Sequence, residues 1–205
     1  MDYDFIEIGT SDFQTCIQSC KDHEVGLSIE PLKLYLDRLP NKPNVTKVNC
    51  AISLDGTNGT VPIYWVHPDD IAKHGMTHWL KGCNSIGKPH LQHNEAQTKG
   101  HMELVRCDDV DSISMSELFS RYDVDKIKFL KIDTEGGDCA ILQSMIPALE
   151  KRDKELWPKR ITFEANILTS ENTILDTVGL YQNLGYKMVN RTRTDIALEL
   201  KGDDE

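Results

Sequence analysis

The stretch DFIEIGTSDFQT, residues 4–15, decides the fold class because it joins an apolar run to a glycine turn and a helical pattern. Phe5–Ile8 is predicted to form a buried β-strand, and Gly9 the turn that follows it. Ser11 or Asp12 is predicted to cap the next helix, whose apolar stripe comprises Phe13, Cys16, Ile17 and Cys20. A strand, a tight turn and a helix in this order are typical of the first unit of an α/β sheet.

Four further apolar runs without polar alternation indicate parallel strands that are buried on both faces. They are Val25–Ile29, Val45–Ile52, Ile127–Ile132 and Ile161–Phe163. Helical patterns separate them, including a helix over 32–39 and helices capped by Ser114 and Ser170. Two late runs predict an antiparallel hairpin, Tyr186–Arg191 and Asp195–Leu200. We therefore predict an α/β fold with a doubly wound, Rossmann-like sheet that is mostly parallel and ends in a C-terminal antiparallel hairpin strand.

Two segments interrupt this alternation of strands and helices. Residues 53–66 contain Asp55-Gly56 and Asn58-Gly59 before the apolar run Val61–Val66, which predicts a hairpin. Residues 67–100 contain five histidines and are too long for a simple connection. A lid, an acceptor-binding loop or a partly disordered segment is expected there.

Composition and charge limit the classes of function. The 205 residues are predicted to form one domain, 1–205. The net charge of −10 disfavours a nucleic-acid partner, because phosphates would be repelled. The chain lacks an apolar run of about 18 residues and a signal-peptide pattern, so neither a membrane span nor export is predicted. The six cysteines lack a C-x-x-C pair, which favours free thiols in the cytoplasm over a zinc site.

The glycine turn after the first strand indicates the class of ligand, because open α/β sheets bind ligands at the carboxyl ends of their strands. A dinucleotide fingerprint G-x-G-x-x-G requires more glycines than Gly9, and Ser11 stands at the second glycine position. Glu7, two residues before Gly9, would repel a pyrophosphate and favours a positively charged ligand. A nicotinamide cofactor is therefore disfavoured.

The ends of the next two strands favour a nucleoside. Glu30 follows the second strand, where a carboxylate can accept hydrogen bonds from both hydroxyls of a ribose. Pro31 comes next, and small residues at the end of the third strand can flank a flat base: Cys50, Ala51 and Ile52. A nucleoside that carries a cation and no phosphate corresponds to S-adenosylmethionine.

Four blocks of the sequence resemble the FkbM-type class I methyltransferases. They are Glu7-x-Gly9, Ser28-Ile29-Glu30-Pro31, Asn49-Cys50-Ala51-Ile52-Ser53 and Lys131-Ile132-Asp133-Thr134-Glu135-Gly136-Gly137-Asp138. The resemblance covers residues 4 to about 166. The glycine turn is poorer than is usual in that family, and the helix that usually precedes the first strand is missing. We therefore expect a domain excised from a longer protein, for example one fused to glycosyltransferase domains.

The resemblance also implies roles for individual residues. The methionine part of the cofactor would be held by Glu7, Gly9, Thr10 and Ser11. The ribose would be held by Glu30 with Pro31, and the adenine by Cys50, Ala51 and Ile52. Asp133 would lie beside both the cofactor and the reacting group.

Methyl transfer to an alcohol requires alignment of the nucleophile and a base that takes its proton. Asp133 is the leading candidate for this base, although it could instead be a structural carboxylate that caps the next turn. Glu135 is the second candidate. His78, beside Trp79, is a candidate for the acceptor pocket, where an aromatic face next to a polar group suits a sugar ring.

A metal-dependent alternative would use Asp133, Glu164 and Asn166 as oxygen ligands for Mg²⁺. Ala165 stands where a second acidic ligand would be needed, so the sequence favours a metal-free site.

These expectations combine into an S-adenosylmethionine-dependent O-methyltransferase of the EC 2.1.1 class. Its acceptor would be a hydroxyl of a carbohydrate, a glycan or a small hydroxylated metabolite, and the preference for a sugar rests on the resemblance. Two alternatives stay open. One is methylation of nitrogen or of a protein, and the other is a non-catalytic methyltransferase-like domain that binds the cofactor or a partner.

Overall fold

The computed structural model describes residues 1–11, 13 and 15–202. The predicted cap Asp12 lies outside the described residues. Ser11 does not cap the first helix, because that helix begins after Thr15, which is its N-cap residue. The predicted helix over 32–39 is also shorter and spans Lys33–Leu36.

The described residues form eleven strands and seven α-helices. The strands are β1 (Asp2–Ile8), β2 (Gly26–Ile29), β3 (Val45–Val48), β4 (Ala51–Ile52), β5 (Gly59–Val66), β6 (Ser85–Ile86), β7 (Val105–Ile113), β8 (Lys126–Ile132), β9 (Arg160–Glu164), β10 (Tyr186–Arg191) and β11 (Asp195–Leu200). The helices are α1 (Cys16–Ser19), α2 (Lys33–Leu36), α3 (Pro68–Lys73), α4 (Asn94–Thr98), α5 (Met115–Arg121), α6 (Asp138–Glu150) and α7 (Glu171–Asn183). None of these helices is long and apolar enough to cross a membrane.

The main sheet has seven strands in the order β10-β11-β9-β8-β1-β2-β3. The pairs β1–β2, β2–β3, β1–β8 and β8–β9 are parallel. Within this sheet, β11 is the one described strand that runs antiparallel to both of its neighbours. The predicted mostly parallel sheet with an antiparallel strand from a C-terminal hairpin is therefore confirmed. The chain runs outward from β1 to β3 and then returns to β8 beside β1, so the strand order reverses between β1 and β8.

Consecutive residues of β1 contribute to two different parts of the core. Phe5 packs with Ile17 of α1 and Leu36 of α2. Ile6 belongs to the large cluster that includes residues of α5, α6 and α7. Because side chains alternate between the faces of a strand, β1 connects apolar layers on both faces of the sheet.

A second sheet, in the order β4-β7-β5-β6, corrects two predictions. The predicted strand Val45–Ile52 is divided between the two sheets, because Asn49 donates to the carbonyl oxygens of Glu30 and Pro31 and turns the chain away. The predicted hairpin over 53–66 is wrong, because β5 pairs antiparallel with β7. Three aspartates within β7 interrupt the apolar alternation by which a strand is identified in a sequence: Asp108, Asp109 and Asp111.

Residues 67–104, here called the insertion, connect β5 to β7. They contain α3, α4, β6 and three short 3₁₀ helices. The insertion has its own apolar cluster, in which Ile71, Met76, Leu80 and Ala96 pack together with Val66. The segment predicted to be a lid, an acceptor loop or partly disordered is thus an ordered unit with a small core.

The N-cap of α5 provides a test of the fold. Ser114 Oγ accepts a hydrogen bond of 3.0 Å from the amide of Glu117. Ser114→Ala should lower the free energy of unfolding by about 1 kcal/mol, because it leaves an amide of the first helical turn without its partner. Urea denaturation of the full chain measures this change. Ser116→Ala, an exposed position in the same helix, is the control and should change stability by less than about 0.5 kcal/mol. Equal effects of both variants would contradict the assigned cap.

Candidate active site

A cavity lies where the main sheet reverses its strand order, at the carboxyl ends of β1, β2 and β8. Its empty volume is about 680 Å³, including its open mouth. Nine residues predicted to bind the cofactor line it: Gly9, Thr10, Ser11, Glu30, Pro31, Cys50, Ala51, Ile52 and Asp133. The lining also includes Glu135, which the sequence analysis placed second as a base. Several lining residues were not predicted: Ile8, Phe13, Ile29, Ile63, Gly82, Asn84, Ile86, Lys131 and Thr134.

The glycine turn presses directly against the turn that follows β8. Gly9 has a φ of +77°, and a Cβ atom at this position would lie 1.9 Å from the carbonyl oxygen of Asp133. Any side chain would therefore force these two turns apart. Glycine is required here by the close approach of two backbones, and this approach brings Asp133 beside the glycine turn.

Glu30 is buried and holds the glycine turn through its carboxylate. Oε2 accepts hydrogen bonds from the amides of Thr10, at 3.1 Å, and Ser11, at 2.7 Å. Oε1 accepts one from the amide of Leu32 at 2.9 Å. Burial raises the pKa of Glu30, and these donors oppose the rise only in part. Glu30 thus lines the cavity and also fixes the shape of the wall on which it stands.

Glu7 does not line the cavity, although its neighbours do. Its side chain is fully buried, with Oε1 3.0 Å from Lys131 Nζ and Oε2 2.8 Å from the amide of Cys16. Lys131 Nζ also lies 3.7 Å from Asp133. Burial alone would lower the pKa of Lys131, but Glu7 and Asp133 outweigh it and raise that pKa. Glu7 therefore acts on the cavity through Lys131, whose charge it maintains.

Three carboxylates meet at one edge of the cavity. Ligand atoms of Asp133, Glu135 and Glu164 all lie within 4.8 Å of one another. The fold brings them together because β8 and β9 are neighbours and end at the same edge of the sheet. Glu135 has a φ of +55°, which is unusual for a residue with a side chain and bends the chain back toward Asp133.

Crowding of negative charge changes the protonation of this cluster. Burial, followed by the charge of Glu135, raises the pKa of Glu164 to about 9. The pKa of Asp133 is also raised, because its position in the cavity removes it from bulk water although 44% of its side chain stays accessible. Asp138, buried behind the cluster, has a pKa raised to about 6 by burial. Glu164 is thus the carboxyl group that holds a proton at neutral pH.

Each of the three carboxylates has its own polar partner, and the three partners come from different segments. Asn166 Nδ2 donates to Glu164 Oε1 at 2.5 Å, and His90 Nε2 lies 3.2 Å from Glu135 Oε2. Lys131 approaches Asp133, as described above. The sequence analysis did not identify Lys131 or His90 as site residues. Lys131 lay within a quoted block, but no local pattern in the sequence singles out His90.

The structure changes the metal-binding alternative. Asn166 uses its amide for Glu164, and its Oδ1 accepts from the amide of Leu168 at 2.8 Å. Among the described residues, the group with suitable spacing for a cation is Asp133, Glu135 and Glu164. Glu135 therefore replaces Asn166 as the third oxygen ligand that a divalent ion would use.

His78 lies outside this cavity. It is exposed and borders a separate depression with Arg38 and Met76. Its ring meets the ring of Phe13 edge-on, with the centroids 6.1 Å apart. Phe13 lines the cavity and stacks on Trp79, whose exposed fraction is 70%. His78 and Trp79 thus contact the cavity through Phe13 and do not reach the carboxylates.

The raised pKa of Glu164 makes folding stability depend on pH in a definite direction. The folded state keeps a proton up to about pH 9, whereas an ordinary glutamate releases it near 4.5. Stability should therefore fall as the pH rises between these values, because the unfolded state binds fewer protons. Glu164→Gln keeps the oxygen that Asn166 needs and carries no titrating proton. It should be more stable than the wild type at pH 8, by on the order of 2 kcal/mol.

Urea denaturation between pH 5 and pH 8 measures this effect. Glu150→Gln, an exposed position at the end of α6, is the control and should leave the pH dependence unchanged. A Glu164→Gln variant with the same pH dependence as the wild type would show that Glu164 is ionised in the folded protein.

Comparison with known families agrees with this geometry. The family described as the methyltransferase FkbM domain matches residues 7–188, which include the end of β1, the glycine turn, Glu30 and the carboxylate cluster. No curated protein sequence matches the chain at a significant level. Because the match covers most of the chain, the protein belongs to the FkbM methyltransferase domain family.

Proposed function

We propose that this domain is an S-adenosylmethionine-dependent O-methyltransferase with a doubly wound, class I sheet. The acceptor would be a hydroxyl of a carbohydrate, a glycan or a small hydroxylated metabolite. The observation that carries the proposal is one cavity lined both by Glu30 and by two carboxylates of the cluster, Asp133 and Glu135, in a member of a methyltransferase family.

The residues of the cavity fit the proposed cofactor. Five isoleucines provide apolar walls for a base: Ile8, Ile29, Ile52, Ile63 and Ile86. Glu30 provides an acceptor for ribose hydroxyls, since a carboxylate has about four lone-pair positions, three amides occupy three of them, and the fourth donor, Thr10 Oγ1, lies at a long 3.4 Å that a ribose hydroxyl could replace. Asn84 Oδ1 is buried and has no hydrogen-bond partner among the described residues. The amino group of adenine is a donor of the type that such an oxygen requires.

The opposite end of the cavity suits the methionine part. Lys131 and Asp133 lie beside the glycine turn and offer a cation for a carboxylate and an anion for an ammonium group. Glu7 would support this end indirectly, by holding Lys131. The cofactor supplies a methyl group on a positively charged sulfur, which needs no metal for its activation.

The chain's own residues would position the acceptor hydroxyl and remove its proton. Asp133 is the proposed base, because it lines the cavity, burial raises its pKa and so its basicity, and the nearby charge of Lys131 favours its anionic form. Glu135 would accept a hydrogen bond from the acceptor and so orient it. Glu164 holds its own proton at neutral pH, so it is unsuited to the role of base. His78 would contribute to acceptor binding at the mouth of the cavity, through Phe13.

Cofactor binding tests the site. S-adenosylhomocysteine, the demethylated product, should bind with a Kd in the low micromolar range or below, and NAD should not bind. Glu30→Ala should weaken binding about 10- to 100-fold, because the ribose loses a charged acceptor and the glycine turn loses its anchor. Calorimetry measures both affinities. Glu171→Ala, which removes an exposed partner of Arg191 outside the cavity, is the control and should bind as the wild type does. An unchanged affinity in Glu30→Ala would place the ribose elsewhere.

A second experiment tests whether Asp133 acts as a base or as a metal ligand. Transfer of a labelled methyl group to a panel of methyl hexopyranosides and glycans should be unaffected by EDTA. Asp133→Asn should weaken S-adenosylhomocysteine binding only moderately, by less than about tenfold, and should lose at least about a hundredfold in kcat at saturating cofactor. Complete loss of wild-type activity in EDTA, with rescue by Mg²⁺, would instead make Asp133, Glu135 and Glu164 ligands of an ion that activates the hydroxyl.

A further inference from the structure

His90 belongs to the insertion but reaches the carboxylate cluster of the main sheet. Its side chain is 5% exposed, and its Nε2 lies 3.2 Å from Glu135 Oε2. Among the described residues, Nε2 completes no well-aligned hydrogen bond, and its 3.2 Å contact with the Glu135 carboxylate is close in distance only. A buried imidazole nitrogen without a partner is unfavourable, so the Glu135 carboxylate is the group that accounts for the position of this ring.

The backbone around His90 determines which ring nitrogen carries the proton. Nδ1 accepts a hydrogen bond of 3.0 Å from the amide of Gln92. Nδ1 must therefore present a lone pair, and the proton of the neutral ring lies on Nε2, which faces Glu135. The amide of His90 itself donates to His93 Nδ1 at 3.2 Å, which fixes this segment further.

Glu135 needs such a donor because its backbone conformation and the neighbouring carboxylates both disfavour the observed position of its side chain. It lies between Thr134 and Gly136 in a left-handed backbone conformation, and its carboxylate faces those of Asp133 and Glu164. Repulsion would turn the side chain out of the cavity unless a donor held it. Lys131 lies in β8, which Asp133 directly follows, and Asn166 follows β9, which carries Glu164. His90 is the one donor of the three that the insertion supplies.

We propose that His90 is a positioning residue, which holds Glu135 in the cavity and so makes the acceptor site depend on the docked insertion. The proposal rests on the proposed function, in which Glu135 orients the acceptor hydroxyl. His90 does not line the cavity, so it acts through Glu135 and not on the acceptor itself.

Kinetics of four variants test this role, with the methyl hexopyranoside that gives the highest wild-type turnover. His90→Ala should raise the KM for this acceptor about tenfold, while the Kd for S-adenosylhomocysteine stays within twofold. His90→Gln should restore most of the loss, because its amide can donate where Nε2 does. In a Glu135→Ala background, His90→Ala should add less than a twofold effect, since the group that it positions is gone.

The matched control is His101→Ala, another histidine of the insertion, whose ring meets His74 and not the cavity. It should leave KM unchanged. Equal losses from His90→Ala in the wild-type and Glu135→Ala backgrounds would overturn the proposal, because they would show a structural role within the insertion. A parallel loss of S-adenosylhomocysteine binding would overturn it as well.

A measurement without turnover separates this proposal from the proposed function. Long-range proton–nitrogen NMR of the wild-type protein should show the His90 ring protonated at Nε2 at neutral pH. A ring protonated at Nδ1 would contradict the proposal even if methyl transfer is found. Absence of methyl transfer to every acceptor, with the Nε2 proton present, would count against the proposed O-methyltransferase function and leave the His90–Glu135 contact supported.

Discussion

The site depends on one buried carboxylate, that of Glu30. It accepts hydrogen bonds from the amides of Thr10 and Ser11, in the turn after β1, and from the amide of Leu32, at the start of α2. The carbonyl oxygen of Glu30 in turn accepts from Asn49, which directs the chain into the second sheet. A buried carboxylate is stable only when hydrogen-bond donors surround it. Glu30 therefore connects the turn after β1, the start of α2 and the segment that carries Asn49. The cavity is the space that these segments leave open.

Residues that do not line the cavity help to determine how the charges of the carboxylate cluster are arranged. Glu7 does not line the cavity, but its carboxylate pairs with Lys131 Nζ, which in turn lies 3.7 Å from the Asp133 carboxylate. On the other side, Glu135 and Glu164 are held by His90 and Asn166. Asp133, the proposed base, thus lies beside the cation of Lys131 and beside Glu164, a carboxyl group whose pKa is raised to about 9.

Sequence patterns predicted the parts of this structure that depend on local chemistry. Apolar runs identified the main-sheet strands, and Glu30 followed from its distance to Gly9. Contacts between distant segments escaped prediction, because no local signal encodes them. The acidic strand β7 lacks apolar alternation, so the pairing of β5 was misjudged. Asn84 and His90 reach the site only because the insertion folds back toward the turn that follows β8. Glu7 was placed at the cofactor because its neighbours in sequence are there, whereas strand pairing turns it toward Lys131.

The most direct test of this account is hydrogen exchange of the full chain with and without S-adenosylhomocysteine. Slower exchange is expected at the amides of residues 9–11, 30, 32, 50–52 and 133–135, which line the cavity or bind Glu30. Unchanged exchange at residues 9–11, 30 and 32, or protection confined to residues 167–174, which border another depression at the start of α7, would contradict it.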